Sequence, residues 1–176
     1  GDGTVAEVLN GLIRNPARET FRLGIIPLGT ANVLAHEIGL ERRAGAIAAA
    51  LLAGRALPLH PGRIRRADGS TRYFLMMAGA GFDAAVVEGV TPSAKRRLGK
   101  GAYVAETLRQ AAAGAVPDLA VEVDGSPHAA QSVVVCNGRR YGGPYLLAPA
   151  ADLTEESFQV VLLERAGGFS TLGQGL

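Results

Sequence analysis

A chain of 176 residues with 48% hydrophobic side chains is long enough to bury a sizeable core, as one generous domain or two small ones. The absence of Trp, an aromatic content of 5% and a net charge of +2 argue against a stacking platform for single-stranded nucleic acid and against a duplex DNA reader. A single cysteine, Cys136, excludes an intrachain disulfide and a cysteine-based zinc site, and a reducing cytoplasm suits it.

The 24 glycines punctuate the chain and make its elements readable in order. Gly1-Asp2-Gly3-Thr4 reads as a loop feeding a helix, because Val5, Val8, Leu9, Leu12 and Ile13 recur at helical spacing. After a turn at Asn15-Pro16, Leu23 to Leu28 reads as a short buried strand, and Thr30 opens a second helix that Gly39 caps. Arg43 to Leu52 is an Ala-rich third helix ended by Gly54. The apolar run Ala44 to Leu57 is too short to span a bilayer. Residues 1–54 thus read as part of an α/β domain.

From residue 55 to 176 the pattern turns to strands. Leu57 to His60, Arg63 to Arg66, Thr71 to Met77, Leu119 to Val123, Ser132 to Cys136 and Phe158 to Leu163 fit, with turns at Ala67-Asp68-Gly69-Ser70 and Asp124-Gly125 and one helix near Tyr103 to Ala113. Basic residues concentrate at Arg63, Arg65 and Arg66 and at Lys95-Arg96-Arg97 with Lys100. The second run suits phosphates or anionic headgroups as well as a solvated loop. Both chain ends read as cut rather than native, with Gly1 in place of Met and a strand-like segment just before Leu176.

Chemistry is carried by two glycine turns. Gly1-Asp2-Gly3-Thr4 at a helix start offers close backbone approach, unpaired amides and a favourable dipole to a phosphate. Asp2 reads either as an N-cap or as a carboxylate sharing a Mg²⁺ with a nucleotide. Leu28-Gly29-Thr30-Ala31-Asn32 repeats the device, with Thr30 either a cap or a second phosphate contact; paired loops of this kind mark ligand sites in open α/β sheets. Neither is a Walker A or a dinucleotide fingerprint.

Taken together, five ordered segments resemble the diacylglycerol kinase catalytic family, which includes bacterial lipid kinases and sphingosine kinases. They are Gly1-Asp2-Gly3-Thr4 with Glu7 to Leu12, Pro27 to Asn32, Ala78 to Asp83, Gly99 to Tyr103, and Asn137 to Gly143 followed by Leu147 to Leu153. The resemblance implies a Rossmann-like α/β nucleotide-binding domain followed by a β-sandwich lipid-binding domain, with ATP in the cleft between them. It implies transfer of the γ-phosphoryl group of ATP to a lipid hydroxyl with Mg²⁺, in phospholipid metabolism, by a cytoplasmic enzyme with peripheral membrane contact. By position, Gly1, Asp2, Gly3, Thr4, Gly29, Thr30 and Asn32 would contact nucleotide. Asp2 and Asp83 would be catalytic, with Asp83 facing the lipid hydroxyl or capping a turn. A structural Mg²⁺ would be held around Asp152, Glu155 and Ser157.

Four departures stand out. Glu155 replaces the family's Asp, Glu156 replaces a Gly, and Ala6 replaces a common Asn; the family's proposed base is expected beyond Leu176. Two rivals remain: a kinase of a soluble metabolite such as NAD, and a nucleotide-binding module without catalysis.

Overall fold

The spacing of Val5, Leu9 and Ile13 winds the glycine-rich start directly into a helix. A computed structural model of the protein describes residues 1–15, 20–81, 118–163 and 169–175. The expected helix near residue 103, Asp83, the Gly99 to Tyr103 segment and the Lys95 to Lys100 run lie outside the described residues. Two units are present: one of Gly1–Met77, Cys136–Gln159 and Gly175–Leu176, the other of Ala78–Val135 and Val160–Gln174. The expected boundary after residue 54 falls inside the first.

In the first unit, helix α1 spans Asp2–Ile13 with Gly1 as its N-cap residue, so Asp2, Gly3 and Thr4 form its first turn rather than a separate loop. Its inner side buries Leu9, which joins Leu34, Leu75 and Leu153, with Val5, Ile13, Phe21, Ile25 and Tyr73 packed around them. Each such leucine contributes about 1.5–3 kcal/mol by leaving water. Asn10 is also buried; its Nδ2 donates to the carbonyls of Ala6 and Tyr73, both at 2.8 Å, and its Oδ1 accepts from the Tyr73 N–H at 2.9 Å.

Helix α2, Val33–Glu37, starts later than Thr30 because Asn32 is left-handed at φ 48° and cannot continue a helix backwards. It ends as a Schellman motif: Leu40 N–H donates to Ala35 O at 2.8 Å and Gly39 N–H to His36 O at 3.3 Å. Helix α3, Ala44–Ala53, ends at Gly54, φ 61°.

The segments Leu23 to Leu28 and Leu57 to His60, expected as strands, pair with no strand among the described residues. Apolar composition favours extension, but a strand exists only through a partner, and Pro27 and Pro58 each remove a donor.

Strands β1 (Gly62–Arg65) and β2 (Thr71–Phe74) form an antiparallel hairpin in which Arg63 faces Tyr73 and Arg65 faces Thr71. The expected single run to Met77 instead bends at Leu75-Met76, and Met77–Gly81 becomes β3 in another sheet.

β4 (Leu119–Val123) and β5 (Ser126–Ala130) make a second hairpin through Asp124 and Gly125, at φ 47° and 76°, the positive pair of a primed turn. β6 is Ser132–Cys136; β7 (Arg140–Tyr141) and β8 (Tyr145–Leu146) form a short hairpin in the first unit; β9 is Ser157–Leu163 and β10 is Phe169–Gly175. One four-stranded sheet has the order β10-β9-β6-β3. The second unit's core gathers Val123, Ala130, Val160 and Leu162. Among the described residues no helix is long and apolar enough to cross a membrane.

Candidate functional site

The two glycine turns meet. A Cβ placed on Gly29 would lie 2.5 Å from Gly1 Cα, and one on Gly1 would lie 3.0 Å from Gly29 Cα. Gly29 therefore requires glycine for reasons of backbone approach, the contact at Gly1 is tight, and the segment before α2 is brought against the start of α1. Gly3 differs, since a Cβ there would meet nothing within 4 Å.

Asn32 fixes the second turn. Its Oδ1 accepts the Gly29 N–H at 2.8 Å and its Nδ2 donates to the Gly29 carbonyl at 2.6 Å, and the residue is buried. Both ends of this amide are thus engaged in shaping the turn. Thr30 is exposed beside it, as are Gly3 and Thr4 on α1.

The carboxylate of Asp2 crosses between the turns, its Oδ1 accepting the Leu34 N–H of α2 at 3.1 Å. Asp2 therefore caps the second helix while standing in the first turn of α1, whose opening N–H groups have no partner within the helix. One carboxylate beside such amides suits a Mg²⁺ carried by a nucleotide, because that ion keeps phosphate oxygens and waters and takes only one or two carboxylates.

At the far end of α2, the Glu37 carboxylate, 4% exposed, accepts from Arg139 Nε at 2.9 Å, from the Arg139 N–H at 3.2 Å and from the Arg140 N–H at 3.1 Å. Hydrogen bonding and charge attraction from Glu37, with a smaller pull from Asp152, hold the Arg139 guanidinium above its ordinary value. Arg140 also donates to the Pro144 carbonyl at 2.7 Å, so it stabilises the glycine-rich loop. Asn137, fully buried, donates through Nδ2 to the carbonyls of His60 and Leu75, both at 2.8 Å. Glu37, Ile38, Leu57, Arg139, Asp152, Leu153 and Thr154 line a shallow cavity of about 290 Å³.

Asp152 sits in an Asx turn. Its Oδ1 accepts the Thr154 N–H at 2.8 Å and the Thr154 hydroxyl at 2.7 Å, while its carbonyl accepts the Glu155 N–H at 3.1 Å. These two Thr154 bonds, then the charge of Arg139, hold its carboxyl below the ordinary value. Glu155 is exposed, Glu156 pairs with His60 Nδ1 at 3.3 Å, and Ser157 opens β9. The turn is held by hydrogen bonds among Asp152, Thr154 and Glu155. Among the described residues no three His, Cys, Asp or Glu side chains gather as a metal cluster.

Residues 1–64 match the model of the diacylglycerol kinase catalytic domain, and residues 76–173 match that of the YegS C-terminal NAD kinase beta sandwich-like domain. The chain belongs to the diacylglycerol kinase and YegS-like lipid kinase family. Its expected class, an α/β nucleotide-binding part followed by a β-sandwich, is the class of that family.

The chain is 30% identical over 169 residues to a diacylglycerol kinase of Bacillus subtilis, covering 94% of this chain and 54% of the relative. It is 33% identical over 170 residues to a Pseudomonas aeruginosa protein named "Probable lipid kinase YegS-like", covering 93% and 52%. A crystal structure of a Bacillus anthracis diacylglycerol kinase superposes with a TM-score of 0.65 at 27% identity, over 95% of this chain and 53% of that one. The chain spans about half the length of the curated relatives it matches.

Sequence reasoning singled out Asp2, Gly29, Thr30 and Asn32, and the structure gathers them at one place. It missed Glu37 and Asn10. The available signal was the same for both: a polar residue at helical spacing among apolar ones, which asks for a buried partner.

Proposed function

We propose that the protein is an ATP-dependent lipid kinase, transferring the γ-phosphoryl group of ATP to the hydroxyl of a diacylglycerol-like acceptor. The observation that supports this most is the contact of Gly1 with Gly29, which brings two glycine turns together around the Asp2 carboxylate.

In this reading the first-turn amides of α1, at Asp2, Gly3 and Thr4, donate to phosphate oxygens, and the helix dipole favours the anion. The exposed Thr4 and Thr30 hydroxyls add donors from the two turns. Gly3, unobstructed, lets phosphate approach the backbone. Mg²⁺ arriving with the nucleotide would neutralise phosphate charge, and Asp2 is the residue to hold it. A bond forms between the acceptor oxygen and the γ-phosphorus as the bond to the β-phosphate oxygen breaks, ADP leaves, and the hydroxyl proton passes to a base. Phosphoryl transfer depends chiefly on positioning and charge stabilisation, which this arrangement supplies. Asp83 is the proposed partner of the acceptor hydroxyl, and Asp152, Glu155 and Ser157 the proposed structural Mg²⁺ turn.

The test is transfer of labelled phosphate from ATP to diacylglycerol, phosphatidylglycerol and sphingosine in mixed micelles, using the natural full chain. Asp2→Asn keeps an oxygen for the Leu34 N–H and removes the charge. It should fold normally and lose at least about a hundredfold in kcat; undiminished transfer would remove Asp2 from the site. Glu156, where the resembled family has Gly, pairs with His60, and this departure favours a second reading, a nucleotide-binding module without catalysis. That reading predicts ATP binding with no lipid phosphorylated.

A further inference from the structure

The β1–β2 hairpin carries a charge that the proposed phosphoryl transfer does not use. Arg63 and Arg65, two apart on β1, are exposed, as is Arg66 at the entry to the turn. Arg14, at the end of α1, is tied beside them, its Nη2 donating to the Thr71 carbonyl at 2.6 Å. The acids of this region are Glu7, paired with Arg72, and Asp68, whose Oδ1 takes the Ser70 N–H at 2.8 Å. Five arginines against two acids leave the patch at +3, whereas the whole chain carries only +2.

Among the described residues ion pairs engage Arg43, Arg72, Arg139 and Arg140, but not Arg14, Arg63, Arg65 or Arg66. Concentrated like charge repels itself, and an opposing anionic surface relieves that repulsion. The hairpin's aromatic rings are engaged elsewhere: Tyr73 packs on the Leu9 cluster, and Phe74 stacks against Phe158 with ring centroids 5.7 Å apart. No ring is left to stack on a nucleobase, and a bilayer of anionic lipid needs none.

We propose that the β1–β2 hairpin docks this protein on an anionic phospholipid bilayer through Arg14, Arg63, Arg65 and Arg66. The choice of a bilayer rests on the lipid-kinase reading, since such an enzyme must meet its acceptor at a lipid surface.

The experiment is sedimentation with phosphatidylcholine vesicles, with and without phosphatidylglycerol, at low and at physiological salt and without ATP. Binding should require phosphatidylglycerol and weaken as salt rises. Each basic side chain near an anionic leaflet is worth about fivefold in partitioning, so Arg63→Gln, Arg65→Gln and Arg66→Gln together should lower it about a hundredfold. The corresponding triple change to Lys keeps the charge and should retain binding, with both variants matching the parent by circular dichroism. Equal binding to neutral vesicles overturns the proposal. So does undiminished binding by the Gln variant, or tighter binding to duplex DNA than to anionic vesicles at the same salt. Phosphorylation of a water-soluble short-chain diacylglycerol separates the two readings. If the natural full chain binds vesicles but phosphorylates nothing, the kinase reading falls and docking stands; if it phosphorylates the soluble acceptor without binding vesicles, docking falls alone.

Discussion

Gly29→Ala measures directly how closely the two glycine turns are locked. The added Cβ would stand 2.5 Å from Gly1 Cα, 2.8 Å from Asn32 Oδ1 and 3.3 Å from Gly1 N. Two of these atoms are backbone and cannot swing aside; the third is already bonded to the Gly29 N–H. Overpacking of this kind costs about 1–3 kcal/mol. Displacing Asn32 puts two hydrogen bonds at risk, worth about 1 kcal/mol each. The expected loss is about 3 kcal/mol, a large part of a typical domain stability of about 5–15 kcal/mol. Gly3→Ala is the matched control. Its Cβ meets nothing within 4 Å, and it lies in the first turn of α1, where Ala should stabilise by up to about 0.5–1 kcal/mol. Urea midpoints followed by circular dichroism give the stabilities, and calorimetric titration gives ATP binding. Gly29→Ala should lose both. Gly3→Ala should keep its fold and, if the proposed phosphate site is right, lose affinity, because the methyl would occupy the side from which phosphate is proposed to approach. A Gly29→Ala chain within about 0.5 kcal/mol of the parent, the scatter of neutral surface changes, would refute the interlocked turns.

Two further outcomes follow from polar groups. Asn10→Ala removes three hydrogen bonds and leaves the N–H and carbonyl of Tyr73 without that partner, so urea denaturation should show a loss of about 2–4 kcal/mol; a neutral change would mean that α1 is not anchored to β2 through this side chain. Asp152 has its folded value held below the ordinary 3.8, so its contribution to stability is complete above that pH and is lost as pH falls through the folded value. Thr154→Ala deletes the hydroxyl donor and keeps the backbone N–H, so it should raise the Asp152 titration part of the way toward 3.8, read by carbon-13 NMR of the carboxyl; an unmoved titration would remove the Thr154 hydroxyl as a cause of the shift.

What was legible beforehand was mostly local. The Asp124-Gly125 turn, the Gly39 and Gly54 helix ends and the strands Leu119–Val123 and Ser132–Cys136 follow from conformational preference and side-chain alternation within a few residues. What was not legible depends on distant partners. Leu23 to Leu28 has strand composition but no described neighbour to pair with. Asn10 gains its role from Tyr73, and Glu37 from Arg139 and Arg140, about a hundred residues on. A polar residue announces that it needs a partner, never which one.

The glycine turns show the same division inside a single motif. Gly1-Asp2-Gly3-Thr4 reads throughout as phosphate-binding backbone, yet its two glycines answer to different constraints. Gly1 packs tightly against Gly29, which has no room for a Cβ, whereas Gly3 is sterically free within the fold. Asp2 is divided similarly, with one oxygen holding the start of α2 and its charge proposed to serve the nucleotide's Mg²⁺. Fold and ligand therefore bear on neighbouring atoms of the same four residues. A loss of activity on mutation locates the nucleotide only at positions where, as at Gly3, the fold makes no demand of its own.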